Sequence, residues 1–342
     1  MVNHTTRLSN MELLRIIAMI CIVLCHTNFF ILGGVTQEEI YNNTLLAIFR
    51  SIYQQLCMVG VNVFILISGY FGIRPSLKKV ASLMFTVLFW GLLCLLIDIN
   101  HNCELLSVPI LKVFWGGGYY WFIPAYLGLF ILSPIINTFI ESVPQKSFRN
   151  VLFSFFFLEF LYGWLGNMGS YCSGHSIVSF LGLYMLGRYI RLYKSKLFCF
   201  HISTDIFLYL LLSLIPALLS IFTVVNYNRD LSTISDSSPF VVFAAMFLML
   251  AFTKFSFESK AVNWVASSVF AIYVFHLHPS IVGYFKDFFL DIYAANNLVG
   301  YIVLSFCSVI AFGFVIVLID KIRIKVWDIC YSLFLKNWRI SC

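Results

Sequence analysis

The sequence predicts an all-α protein that crosses a membrane many times, and three observations predict it. First, 61% of the 342 residues are apolar and only 11% are charged, with a mean hydropathy of +0.92; soluble domains carry roughly 25% charged residues. Second, the apolar residues fall into about ten separate runs, each near the length that crosses a bilayer as a helix. Hydrocarbon cannot hydrogen-bond a backbone, so segments of this kind close their bonds within helices. Third, the basic residues gather in alternate loops, on one side of such a bundle, in the way that membrane insertion demands.

The expected spans lie near 12–32, 47–71, 80–98, 119–140, 150–166, 176–190, 206–225, 239–254, 261–284 and 298–319. The first follows a polar stretch from Met1 to Asn10 without a small-residue cleavage site, so it is expected to be retained. The second closes on Ser68-Gly69-Tyr70, ahead of the basic turn Arg74 to Lys79. The fourth opens on Tyr119, Tyr120 and Trp121, aromatic residues of the type that collect at membrane interfaces. The fifth is bounded by Lys146 and Arg149, and the sixth ends in Arg188 and Arg191. Later spans are flanked by Lys254, Lys260, Lys321 and Arg323.

With ten spans and both termini cytoplasmic, the 22 Lys and Arg fall almost entirely on the inner side. Only Lys112, Arg229 and Lys286 lie outside, and Arg15 and Arg50 sit in span ends. The outer loops carry Glu38, Glu39, Asp98, Glu104, Asp230, Asp236, Asp287 and Asp291 instead. The net charge of +7 is therefore an orientation signal and not a nucleic-acid footprint. No stretch between spans is long enough for a second domain, so residues 1–342 are expected to form one integral membrane domain. Ten cysteines without a CxxC pair give no zinc or redox signature, and no metal is expected; Cys103 and Cys172 fall in outer loops, where a bridge is open to them.

Chemistry enters in the first span. Arg15 and His26 are eleven positions apart, which at about 100° per residue returns to within about 20° of the same helix face. At about 1.5 Å per residue, His26 lies about 16 Å deeper than Arg15, inside the hydrocarbon region. Ionisable side chains at that depth are costly and face polar cavities or functional sites. Arg15 is open to two readings, a snorkelling anchor or a functional cation. His26 reads as functional, because imidazole moves protons near neutral pH.

The span opening Glu12-Leu-Leu-Arg15 and carrying His26 resembles the Arg-x10-His signature of the acyltransferase family 3 membrane enzymes. Three further segments agree in order: Gly60 to Ser68-Gly69-Tyr70, Tyr119 to Pro124 with Trp121 and on to Ser133-Pro134, and Ser268 through Tyr273 to His276. Ala271 stands where a glycine is common, and His278 follows His276, leaving open which of the two acts. The family also includes members with an extra periplasmic esterase-like domain, and none is expected here. The resemblance implies transfer of an acyl group, expected to be acetyl, from acyl-CoA to a sugar hydroxyl of a bacterial exopolysaccharide, capsule, O-antigen or related surface glycan. It implies a multi-pass protein of the bacterial cytoplasmic membrane whose partners are acyl-CoA as co-substrate, a glycan or lipid-linked sugar, and the bilayer, with no resident cofactor.

Counting depth along each span gives two polar layers. Arg15, Ser68 and Arg74 fall near the inner boundary, and His26 and His276 lie about 21 and 22 Å from it. His26 is then the expected base or acyl carrier, with Arg15 and Arg74 suited to phosphate. Ser68 and Gly69 read equally as ligand contacts or as close helix packing. Trp121 is an interface aromatic or a sugar platform, Tyr273 and His276 belong to the substrate side, and Glu159 is a mid-span carboxylate with no assigned partner. His175 reads as a loop residue. The rival function, a transporter or flippase for lipid-linked sugars, calls for related halves with broken helices, and no such halves are visible in the sequence.

Overall fold

The computed structural model describes residues 8–102, 120–166, 168, 173–193, 198–228, 235–295 and 297–341, and among these every regular element is helical. Cys103, Cys172 and Tyr119 lie outside the described residues. In chain order the helices are α1 Ser9–Cys25, α2 Gln37–Asn42, α3 Thr44–Cys57, α4 Gly60–Phe71, α5 Leu77–Asn102, α6 Phe122–Ser142 and α7 Gln145–Leu158. They continue as α8 Ile177–Leu192, α9 Ile202–Tyr227, α10 Pro239–Thr253, α11 Lys260–Ala266, α12 Val269–His276, α13 Pro279–Ala295 and α14 Leu298–Ser341. Two of them widen into π-helical turns, α1 at His26–Phe30 and α7 at Glu159–Leu165.

Among the described residues, six helices are long and apolar enough to cross a membrane, or seven if the bent pair Lys260–His276 and Pro279–Ala295 is one span. The helices α7, α8 and α10 are shorter, at 14, 16 and 15 residues. The expected ninth span at 261–284 is corrected: the chain bends by 89° between His276 and Pro279. The reason is local. A residue before proline is pushed out of the α region, so His278 lies between the two helices, and Pro279 starts the next, where its missing N–H costs nothing. The last helix also runs to Ser341, well past the expected end at 319.

Helices in lipid gain little by hiding leucine from leucine, so close approach of backbones through small residues decides their packing. A Cβ on Gly69 of α4 would lie 2.2 Å from the Tyr184 carbonyl oxygen of α8, and one on Gly187 would lie 2.3 Å from the Leu66 oxygen. Gly60 of α4 meets α1 in the same way, 2.8 Å from the Ala18 oxygen. These contacts bring α1, α4 and α8 together at the centre. Outward faces stay apolar: along α14, Val299, Val303, Phe306, Ile310, Phe314, Leu318 and Ile322 are exposed at three- to four-residue spacing, a stripe fit for lipid.

Two large apolar cores result among the described residues, beside a small one of Val35, Ile40, Ala47 and Val224. One gathers Leu66, Phe180, Tyr184 and Met249 between α4, α8 and α10. The other gathers Trp90, Tyr120, Tyr273, Phe285 and Tyr301 around the end of α1, α5 and α12 to α14. Phe64 and Phe122 pack against both. Several buried charges are paired, as their desolvation requires. Arg50, which the spacing left in a span end, is 2% exposed and bonds Glu39, Asn28 Oδ1 and the Gly33 carbonyl. Asp320 takes two bonds from Arg323, at 2.6 and 2.8 Å, and one from Trp90 Nε1.

Candidate active site

The seam between the two cores holds a narrow cavity of about 40 Å³. Met19, Ile22 and His26 of the first helix line it, with Val61 and Phe64 of α4, Trp121 and Phe122 at the start of α6, and Phe270 and Tyr273 of α12. The walls are apolar and aromatic apart from the imidazole and the polar edges of Trp121 and Tyr273. In so dry a site a hydrogen bond or a developing charge is felt more strongly than in water.

His26 stands where α1 changes from α to π geometry. The helix is regular from Arg15 to His26, so the spacing read from the sequence holds, and widening starts only at the histidine. π-helical turns are frequent at functional sites. Behind His26 lies His276, fully buried, with His26 Nδ1 and His276 Nε2 2.9 Å apart. His276 Nδ1 is 2.7 Å from the carbonyl oxygen of Ile272, one turn back along α12.

These two contacts fix the protons of the neutral pair. A carbonyl oxygen only accepts, so His276 Nδ1 carries hydrogen and its Nε2 is a lone pair. His26 Nδ1 must then be the donor of the 2.9 Å bond, which leaves His26 Nε2 as the unprotonated nitrogen of a half-buried ring that lines the cavity. Such a nitrogen can take a proton from a hydroxyl or attack a carbonyl carbon. Of the doubled histidines, it is His276 that meets His26. His278 lies beyond the helix end and accepts from the Ser280 backbone N–H at 3.2 Å, capping α13.

The other expected site residues fall elsewhere. Arg15 is half-buried one helix end away, bonded to Glu12 at 3.0 and 3.2 Å. Arg74 is exposed at the same basic end, and its carbonyl accepts from Lys79 Nζ at 2.8 Å. Ser68 bonds the Phe64 carbonyl at 3.0 Å and faces the Tyr126 hydroxyl at 3.4 Å. Gly69 is pressed on the α8 backbone, with no room beside it for a ligand. Glu159 is 2% exposed at the start of the second π-helical turn, and it does not line the His26 cavity. Trp121 and Tyr273 do line it. Sequence reasoning missed Met19, Ile22, Val61, Phe64, Phe122 and Phe270, since nothing marks a wall residue in a run that is apolar throughout. It also set His175 aside, whose ring lies 3.9 Å from the Trp121 ring.

Among known proteins, residues 8–318 match a family model described as an acyltransferase domain. No curated protein and no solved structure matches the chain.

Proposed function

The chain belongs to that acyltransferase family, the one its motifs resemble, and on this premise we propose that it moves an acetyl group from acetyl-CoA to a sugar hydroxyl of a bacterial surface glycan. The observation that carries the reading is the His26–His276 pair, which leaves one imidazole nitrogen bare at a cavity wall. By one route His26 Nε2 takes the proton of the acceptor hydroxyl while its oxygen attacks the thioester carbonyl. The C–S bond breaks, and the imidazolium returns the proton to the leaving thiolate, giving ester and free thiol. By the other, Nε2 attacks the thioester carbonyl first and the C–S bond breaks to release the thiolate; the acceptor oxygen then displaces the imidazole from the acyl carbon and its proton passes to the thiolate, giving the same ester and thiol. Both use the same nitrogen. Arg15 and Arg74, at the basic end of the bundle, suit the phosphates of the donor.

The proposed orientation has ten crossings and both ends of the chain on the cytoplasmic side of the inner membrane, which sets the basic end inward. Fusion reporters after Lys196 and after Arg339 should read cytoplasmic and one in the 226–238 loop periplasmic; a cytoplasmic reading in that loop overturns the arrangement. The activity is tested with purified protein in lipid nanodiscs. Thioester cleavage of acetyl-CoA is followed with and without de-acylated surface polysaccharide, and the surface glycan of a deletion strain is compared with its parent by mass spectrometry. Cleavage that rises with acceptor, and a glycan lighter by acetyl units in the deletion strain, are expected. No cleavage and an unchanged glycan would refute the reading.

A further inference from the structure

His175 packs on one wall of the cavity from outside. Its imidazole stacks on the Trp121 indole, with centroids 3.9 Å apart and planes 20° from parallel, and Trp121 lines the cavity that holds His26. On its other side His175 Nε2 meets Asp236 Oδ2 at 3.1 Å. The aspartate side chain is only 6% exposed, whereas that of His175 is 45% exposed. Three attachments hold this arrangement. Gly174, with φ +76°, sits against the 236–237 backbone, where a Cβ would come within 2.7 Å of the Ser237 nitrogen. Asn62 Nδ2 of α4 donates to the Asp236 carbonyl at 2.8 Å, and the neighbours Val61 and Phe64 of Asn62 are themselves cavity walls. Ser238 N closes the turn on the Ser235 carbonyl at 2.8 Å.

A half-exposed loop histidine ordinarily loses rotamer freedom for no return. Here its ring is fixed on both sides and covers one face of the indole, so a sugar arriving at Trp121 from the surface meets imidazole first. A carboxylate oxygen accepts, so Nε2–H donates to Asp236 and the neutral ring keeps Nδ1 as an acceptor. That combination, a flat ring face with a polar edge, suits the apolar face and hydroxyl rim of a pyranose. We propose that His175, clamped by Asp236 and stacked on Trp121, receives the acceptor sugar at the entrance of the His26 cavity and sets its specificity. The assignment rests on the acetyl-transfer reading above and adds the acceptor-side residue to it.

The test separates acceptor from donor. Protein in lipid nanodiscs receives radiolabelled acetyl-CoA and, as acceptor probe, the host's own surface polysaccharide stripped of esters by mild base. His175→Ala is expected to raise the acceptor KM about tenfold, the worth of one hydrogen bond and a ring contact, while the donor KM and acceptor-free thioester hydrolysis stay parental. His175→Phe, which keeps the ring face and loses the nitrogens, should fall between. An unchanged acceptor KM in both variants overturns the assignment. So does a parallel fall in acceptor-free hydrolysis, because the tether would then serve the shape of the cavity alone. A parent that hydrolyses acetyl-CoA but never esterifies the stripped polysaccharide removes the function reading itself, and the platform with it.

Discussion

His26→Ala is expected to insert and accumulate at parental abundance while acetyl transfer falls by at least about 10²- to 10⁴-fold, the usual worth of general acid-base help. A covalent role would cost at least as much. The fold should tolerate the change because the ring is half-buried at a cavity wall and its polar contact is with His276. Leaving the His276 acceptor unsatisfied costs about 1 to 3 kcal/mol, less than the roughly 5 to 15 kcal/mol that holds a domain folded. Abundance is read by immunoblot of membranes and activity by labelled acetate in the surface glycan. Transfer retained above about a tenth of the parental rate, less than the smallest typical acid-base contribution, would mean that the bare nitrogen does not carry the chemistry.

The helical character of this chain was legible because lipid imposes it: a long apolar run has few alternatives to a helix. The Arg15–His26 interval was legible for the same reason, since α geometry is regular between them. Depth counting also brought His26 and His276 to one level, and they are 2.9 Å apart. What the counting could not supply was direction. Two histidines at equal depth can face lipid, each other or a cavity, and the answer depends on how α1 and α12 turn against each other. The π-helical widening at His26 has no residue signature of its own, so it was invisible.

Other losses were of different kinds. The break at His278-Pro279 was marked in the sequence, but the apolar run continues across it and hydropathy outweighed the proline. Gly69 and Gly187 are alike as letters; only their mutual approach across α4 and α8 reveals why no side chain fits there. His175 and Trp121 are separated by 54 positions, and the aspartate that clamps the histidine lies a further 61 away. Contacts of that range arise from the packing of whole helices, which periodicity within one helix does not encode. Arg50 shows the same limit: its charge was plain, its partner Glu39 was placed in a loop, and their burial together follows from the short α2 folding over α3.

His276 is the second residue whose replacement should be felt strongly, and for a reason distinct from that of His26. It does not line the cavity; it acts through the proton on His26 Nδ1. Its own tautomer is set by the helix, since Nδ1 donates to the Ile272 carbonyl four residues back. Without His276, the His26 ring is free to carry its hydrogen on Nε2, which presents a donor to the cavity in place of a base, and the imidazolium formed during transfer loses its acceptor. His276→Ala should therefore lower kcat by about 10²-fold or more with the donor KM little changed. His276→Gln is the discriminating variant, because its side-chain oxygen can accept from His26 Nδ1–H while no second imidazole remains to hold a proton. If orientation is the whole role, His276→Gln should recover at least about tenfold over His276→Ala, the worth of one well-placed hydrogen bond. Equal and near-parental rates in both variants would detach His276 from the reaction. Loss in His276→Ala beside full activity in His26→Ala would reverse the two assignments and move the reacting nitrogen to α12.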